Sequence, residues 1–175
     1  LEYYNKAIEI DPKYAAAHYN KGVLYDKLLQ HEEAIRNLDE AIKCDSGNVN
    51  TAFYRGVVLG KMKKHEEALN CFENIYRKHP KHMDAFFHKG MELAELGKHE
   101  RALEIFDKLF QIHEGNVNVI YAMARSNAAM NNVGRALYLL EQAVKKDRKT
   151  IKKWALEDEF FDSLQDEPKF TRLIK

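Results

Sequence analysis

All-α, built from helix–turn–helix repeats stacked as a solenoid, is the fold class predicted by this 175-residue sequence. Three observations predict it. The tetrapeptide His-Glu-Glu-Ala at 31–34 returns at 65–68 and, as His-Glu-Arg-Ala, at 99–102, which puts His31, His65 and His99 34 residues apart. Inside each period apolar residues recur twice over at steps of three and four, the spacing of one helical face. Only three Pro and eight Gly interrupt the chain, which argues against a β-sandwich and for helices. A fixed period of this length marks a stacked repeat, because one helical hairpin cannot bury its apolar face alone.

Residues 1–14 read as the second helix of a truncated repeat, with Tyr4 and Ala7 in core columns and Asp11-Pro12 as its closing turn. Leu1, Tyr4 and Ile8 then lack a first helix to pack on, and the open apolar face is a route to self-association through this end. Four blocks follow without insertion: 15–48, 49–82, 83–116 and 117–150. In this register Gly22, Gly56, Gly90 and Ala124 share one column, and Ala34, Ala68, Ala102 and Ala136 another. Leu38, Phe72, Phe106 and Leu140 fill a third. The small columns have a mechanical reason, since two helices of one hairpin approach closely only where both offer small side chains. In the first block Ala15–Leu28 and His31–Cys44 are the two helices, parted by Leu29-Gln30; Lys63-Lys64 and Gly97-Lys98 part the next two pairs. Glu32-Glu33 and Glu66-Glu67 stand in first turns, where the helix dipole favours negative charge. Residues 151–175 form a C-terminal capping helix and tail, with the repeat pattern ending near Trp154 and the acidic stretch 155–170 after it. The whole reads as one continuous solenoid domain.

These columns resemble the tetratricopeptide repeat, a 34-residue helix–turn–helix with the pattern W-x2-L-G-x2-Y…A-x3-F…P. The first block carries His18, Lys21, Gly22, Tyr25, Ala34 and Leu38; the second Ala52, Arg55, Gly56, Leu59, Ala68, Phe72 and Pro80. The third carries Phe86, Lys89, Gly90, Leu93, Ala102 and Phe106, and the fourth Ile120, Met123, Ala124, Asn127, Ala136 and Leu140. The Leu before Gly is replaced throughout, and the closing Pro gives way to Ser46, Glu114 and Arg148. The resemblance implies a right-handed superhelix whose first helices line a concave groove. Ala16, Tyr19, Val23 and Asp26 would face it in the first block, then Asn50, Phe53, Val57 and Gly60; Asp84, Phe87, Met91 and Ala94; and Asn118, Tyr121, Arg125 and Ala128. The candidate partner-binding set is Tyr19, Asn50, Phe53, Val57, Phe87, Met91, Asn118, Tyr121 and Arg125. The aromatic file Tyr19–Phe53–Phe87–Tyr121 is either groove lining or partial core. Some relatives hold C-terminal carboxylates with Lys and Asn; the matching positions here are Tyr19, Val23, Tyr54, Asp84 and His88, which cannot do so.

Catalysis and metal binding find little support. A zinc protease motif needs a second His four residues after the first, and those places hold Ile35, Leu69 and Leu103. One His per repeat, at roughly the 10 Å helix-packing distance, is too dispersed for shared ligation. His79 and His82 near Cys71 fall in a polar turn beside Pro80 and lack further ligands at suitable spacing. Neither a phosphate loop nor a nucleophile with a placed base occurs, so the segment reads as non-enzymatic, with no cofactor and no metal. A net charge of +1 gives no pull toward nucleic acid, and the basic run 145–153 lacks interleaved aromatics. No apolar run spans a bilayer, and two unpaired cysteines suit a reducing, cytoplasmic compartment. The expected role is a protein–protein interaction scaffold that takes a protein or peptide segment in the groove. The alternative is a regulatory or substrate-docking module of a larger enzyme.

Overall fold

The structure is a computed structural model that describes Leu1–Ile174. It is all-α, with no strand among the described residues. None of the described helices is long and apolar enough to cross a membrane. The chain divides into two compact units, Leu1–Glu92 and the residues from Leu93 onward.

The first unit holds α1 (Glu2–Ile10), α2 (Ala15–Lys27), α3 (His31–Cys44), α4 (Val49–Lys61), α5 (His65–Lys78) and most of α6 (Met83–Glu95). First helices begin at Ala15, Val49 and Met83, 34 residues apart. The small columns sit where the hairpin helices touch. A Cβ on Gly22 would come within 2.9 Å of Leu38 Cγ, and one on Gly56 within 2.8 Å of the Phe72 ring. Ala34 and Ala68, opposite them, are fully buried. Around these contacts Leu38, Val58, Leu59, Phe72 and Ile75 form the core, and Tyr76 stacks on Phe86 at 4.3 Å to hold α5 against α6.

Each hairpin turn closes in the same way. In the first, the Leu29 N–H bonds the Asp26 carbonyl at 2.9 Å and the Gln30 N–H bonds the Tyr25 carbonyl at 2.9 Å, a Schellman cap on the end of α2. The pattern returns at Lys63-Lys64, Gly97-Lys98 and Asn131-Asn132. The cap requires one residue in the left-handed region, and Leu29, Lys63, Gly97 and Asn131 all have φ between 58° and 72°. Only Gly97 and Asn131 are residue types suited to that backbone.

No residue of α1 is fully buried. Tyr3 and Ile10 are its most exposed apolar side chains, at 88% and 85%. Tyr4 and Ile8, expected to lie on the open face, are half-buried. The two lie four residues, one turn, apart on α1, which packs against α2.

The second unit continues with α7 (His99–Ile112), α8 (Val117–Ala129) and α9 (Val133–Lys146). Asn116 caps α8 by accepting from the Asn118 and Val119 N–H groups. The capping segment is more elaborate than a helix and a tail. It comprises α10 (Arg148–Glu157), a 3₁₀ helix (Glu159–Leu164) and α11 (Pro168–Ile174). Asp147 caps α10 through the Thr150 N–H. The 3₁₀ helix folds back onto α8, while α11 lies against α9 and α10. Ile151, Phe161, Leu164 and Phe170 bury their side chains in that layer.

Candidate partner-binding site

The first helices of the first unit place the expected side chains at half-buried positions. Tyr19 on α2 stands edge-on to Tyr54 at 6.0 Å. It lines, with Tyr14, Asn50 and Thr51, a recess of about 390 Å³ between the starts of α2 and α4. Asn50 is exposed. Phe53 on α4 is half-buried, packed within 5.5 Å of Phe72, 5.3 Å of His82 and 5.2 Å of His88. Val57 is half-buried against the same core cluster. On α6, Phe87 and Met91 are half-buried, with Phe87 edge-on to His88 at 5.8 Å. Tyr19, Phe53 and Val57 thus pack against the core while remaining half-buried. Burial among the rings lowers the pKa of His88, with Asp84 opposing, which favours the neutral imidazole where Phe53 and Phe87 flank it.

The second unit treats its share of the set differently. Asn118 is exposed, but Tyr121 is only 7% exposed. Its ring lies 5.4 Å from Trp154 and 5.7 Å from Phe161, and its hydroxyl donates to Asp158 Oδ2 at 2.8 Å. Burial, and then the Asp158 charge, drives the Tyr121 pKa well above the ordinary range. Arg125 pairs with Asp158 at 2.6 Å and with Glu95 at 2.9 Å. Tyr121 and Arg125 therefore do not line an open groove, because the chain's own capping segment lies on them. Spacing could not show this, since Asp158 is 37 residues from Tyr121 and outside the repeat period.

The histidine column is bound to carboxylates that the sequence did not mark out. Asp26, buried at the end of α2, accepts from Tyr54 Oη at 2.6 Å and Lys61 Nζ at 2.7 Å, and His31 Nδ1 stands 3.1 Å away. Burial alone would raise the Asp26 pKa, but the hydrogen bonds from Lys61 and Tyr54 and the nearby charges hold it low. His65 Nδ1 meets Glu92 at 2.8 Å, and Gly60 leaves the space, since a Cβ there would lie 2.7 Å from Glu92 Oε1. Asp26 and Gly60, expected along the groove, thus serve this ionic bracing. His99 differs again, meeting Phe160 edge-on at 5.7 Å. Among the described residues no three His, Cys, Asp or Glu side chains converge at metal-binding range. His82 accepts the Ala85 N–H through Nδ1 and so caps α6. The basic run is partly neutralised, Lys145 pairing with Glu141 at 2.8 Å.

A second recess, of about 380 Å³, lies among α3, α4 and α5. At its floor Arg55 donates to Asp39 at 2.6 Å and to Cys71 Sγ at 3.2 Å. An equivalent of about 470 Å³ occurs 68 positions on, among α7, α8 and α9, where Met123 and Leu139 replace Arg55 and Cys71. Neither was foreseen, because a recess between neighbouring second helices leaves no mark beyond the repeat itself.

Models of the tetratricopeptide repeat match residues 3–36, 55–116 and 93–157. No curated protein matches the sequence. Several solved structures share the fold. YrrB, described as a TPR protein with an unusual peptide-binding site, is 25% identical at a TM-score of 0.74, over 89% of this chain and 81% of that one. MamA is 18% identical at 0.72, over 85% of this chain and 87% of that one. A tetratricopeptide repeat protein from Parabacteroides merdae ATCC 43184 is 17% identical at 0.83, over 99% of this chain and 68% of that one.

Proposed function

The chain belongs to the tetratricopeptide repeat family, and on that premise we propose that it is a non-catalytic protein-interaction scaffold whose first helices take an extended partner segment. Membership supports the coarse reading. The finer one rests on one observation: in the first unit Tyr19, Phe53, Val57, Phe87 and Met91 recur on successive first helices at half-buried positions, with Tyr19, Phe53 and Val57 packed against the core. Asn50 supplies an exposed amide beside the Tyr19 recess. That YrrB is described as having a peptide-binding site supports the same class of ligand here. Anchors of this kind contribute about 1–2 kcal/mol each, so affinity would come from several moderate contacts. The free thiols of Cys44 and Cys71 are in keeping with a cytoplasmic setting.

The test is a photo-crosslinking residue at Asn50 in cells that make the protein. An adduct that maps to one contiguous partner segment, and disappears in a folded Phe53→Ala/Phe87→Ala background, supports the reading. An adduct that survives that background removes the aromatic file from partner binding.

A further inference from the structure

The fourth block is the only one with a cation in its third groove column. Where the preceding blocks have Val23, Val57 and Met91, it has Arg125. This guanidinium is only 12% exposed, and three groups of the second unit surround it. Nε lies 2.6 Å from Asp158 Oδ2, Nη2 lies 2.9 Å from Glu95 Oε1, and the Phe160 ring sits 4.4 Å beneath the guanidinium carbon. The Asp158 carboxylate also accepts from the Tyr121 hydroxyl at 2.8 Å, and its Oδ1 accepts the Phe160 N–H at 3.2 Å. Phe160 also meets His99 edge-on at 5.7 Å. Phe161 is fully buried between Tyr121 and Phe170. Read along the chain, the α8 face accepts a carboxylate, skips one residue, and then accepts two aromatic rings.

A cap does not need this chemistry. An ion pair taken out of water recovers little or nothing in stability relative to an apolar pair of similar size, whereas it discriminates strongly among occupants. Val or Met in that column, as in the earlier blocks, would serve a plain cap as well. Asp158 and the 3₁₀ helix Glu159–Leu164 lie as a strap on α8, held lightly through the backbone. Its hydrogen bonds run within it, from Phe161 N–H to Asp158, Gln165 N–H to Asp162 and Glu167 N–H to Leu164. A recess of about 660 Å³ lies beside it, lined by Glu95, Ala128, Asn131, Glu159, Asp162 and Ser163.

We propose that the α8 face carrying Tyr121 and Arg125 is a recognition site for an acidic–aromatic segment of pattern Asp-x-Phe-Phe. Residues Asp158–Phe161 are its resident occupant, and a partner segment of the same pattern replaces them. This site is separate from the one proposed on the first unit and does not depend on it. An occupant on the same chain competes at a high effective concentration, so a free segment binds the intact protein weakly and gains affinity when the strap is loosened.

The experiment uses the full chain and, as probe, an end-blocked synthetic peptide spanning residues 157–166 of this sequence. An Asp158→Asn/Phe160→Ala variant is expected to bind the peptide at least tenfold more tightly than the unaltered chain. Adding Arg125→Gln to that variant, or changing the peptide's Asp to Asn, is expected to remove at least tenfold. Equal affinity for both proteins, or binding indifferent to the peptide's carboxylate, overturns the proposal. Should the variant fail to fold, hydrogen exchange on the unaltered chain decides the matter. Saturating peptide accelerates exchange in residues 158–164 if the strap is replaced, and unchanged exchange there overturns the proposal.

Discussion

Phe53 and Phe87 in the first unit and Tyr121 in the second occupy one sequence column, yet they meet different surroundings. Phe53 rests on the core ring of Phe72 and Phe87 lies edge-on to His88, both half-buried, whereas Tyr121 is covered by Trp154, Phe161 and Asp158. The column therefore sets where a ring points, and the chain that follows sets whether that ring remains available. A repeat alignment reports only the first of these.

Truncating rings should separate the two cases most clearly. Tyr121→Ala removes a buried ring and the hydroxyl that satisfies Asp158, and is expected to cost about 3–5 kcal/mol. Phe87→Ala, on a half-open ring, is expected to cost about 1–2 kcal/mol. Chemical denaturation followed by circular dichroism measures both, and equal losses would break the comparison. Next in size is overpacking. Ala68→Leu inserts a branched chain where the hairpin leaves no room and should cost about 1–3 kcal/mol, seen as a lower thermal midpoint. An unchanged midpoint would mean that α4 and α5 do not close on this column.

Acid should reveal a further difference. Burial lowers the pKa of both His88 and His99; Asp84 opposes the shift at the first, and at the second Glu100 opposes it while Arg125 reinforces it. A folded pKa below the ordinary value of 6.5 means that the neutral ring favours the fold. The contribution is complete above that pH and is lost as pH falls through it toward the folded pKa. Denaturant midpoints at pH 7.5 and pH 5 should show the loss in the unaltered chain and a smaller one in His88→Leu. An identical pH dependence in His88→Leu would show that the ring is already solvated in the folded state. The smallest effect is expected at Leu29, which is 79% exposed with φ of 59°. Leu29→Gly relieves a left-handed leucine and should raise stability by about 0.5–1 kcal/mol, whereas Gly97→Ala should lower it by a similar amount. Thermal melts of the two variants would show the opposite signs.

Much of the fold was legible because steric necessity acts at a fixed spacing. Ala34 and Ala68 cannot be large while Leu38 and Phe72 fill the same crossing, so the sequence repeats the solution each time. The left-handed turns were illegible at Leu29 and Lys63, since tertiary closure of the hairpin overrides residue preference there and only Gly97 and Asn131 carry a local signal. Half of the candidate site was legible for the same periodic reason. The remainder was not, because the Asp158 contact to Tyr121 and the Glu92 contact to His65 are single long-range pairings with no recurrence to expose them.

The four hairpin turns share one stereochemistry, at residues 29, 63, 97 and 131. Such uniformity makes the chain a ruler marked in whole periods. A helix advances about 100° for each residue, so deleting one residue inside α4 would swing everything after it a quarter-turn or more out of phase with its neighbours. Removing a full period between Ala15 and His82 joins like phase to like, with the same cap waiting at the splice. Lengthening or shortening by this one unit is thus the change in size that the molecule accommodates without relearning its geometry.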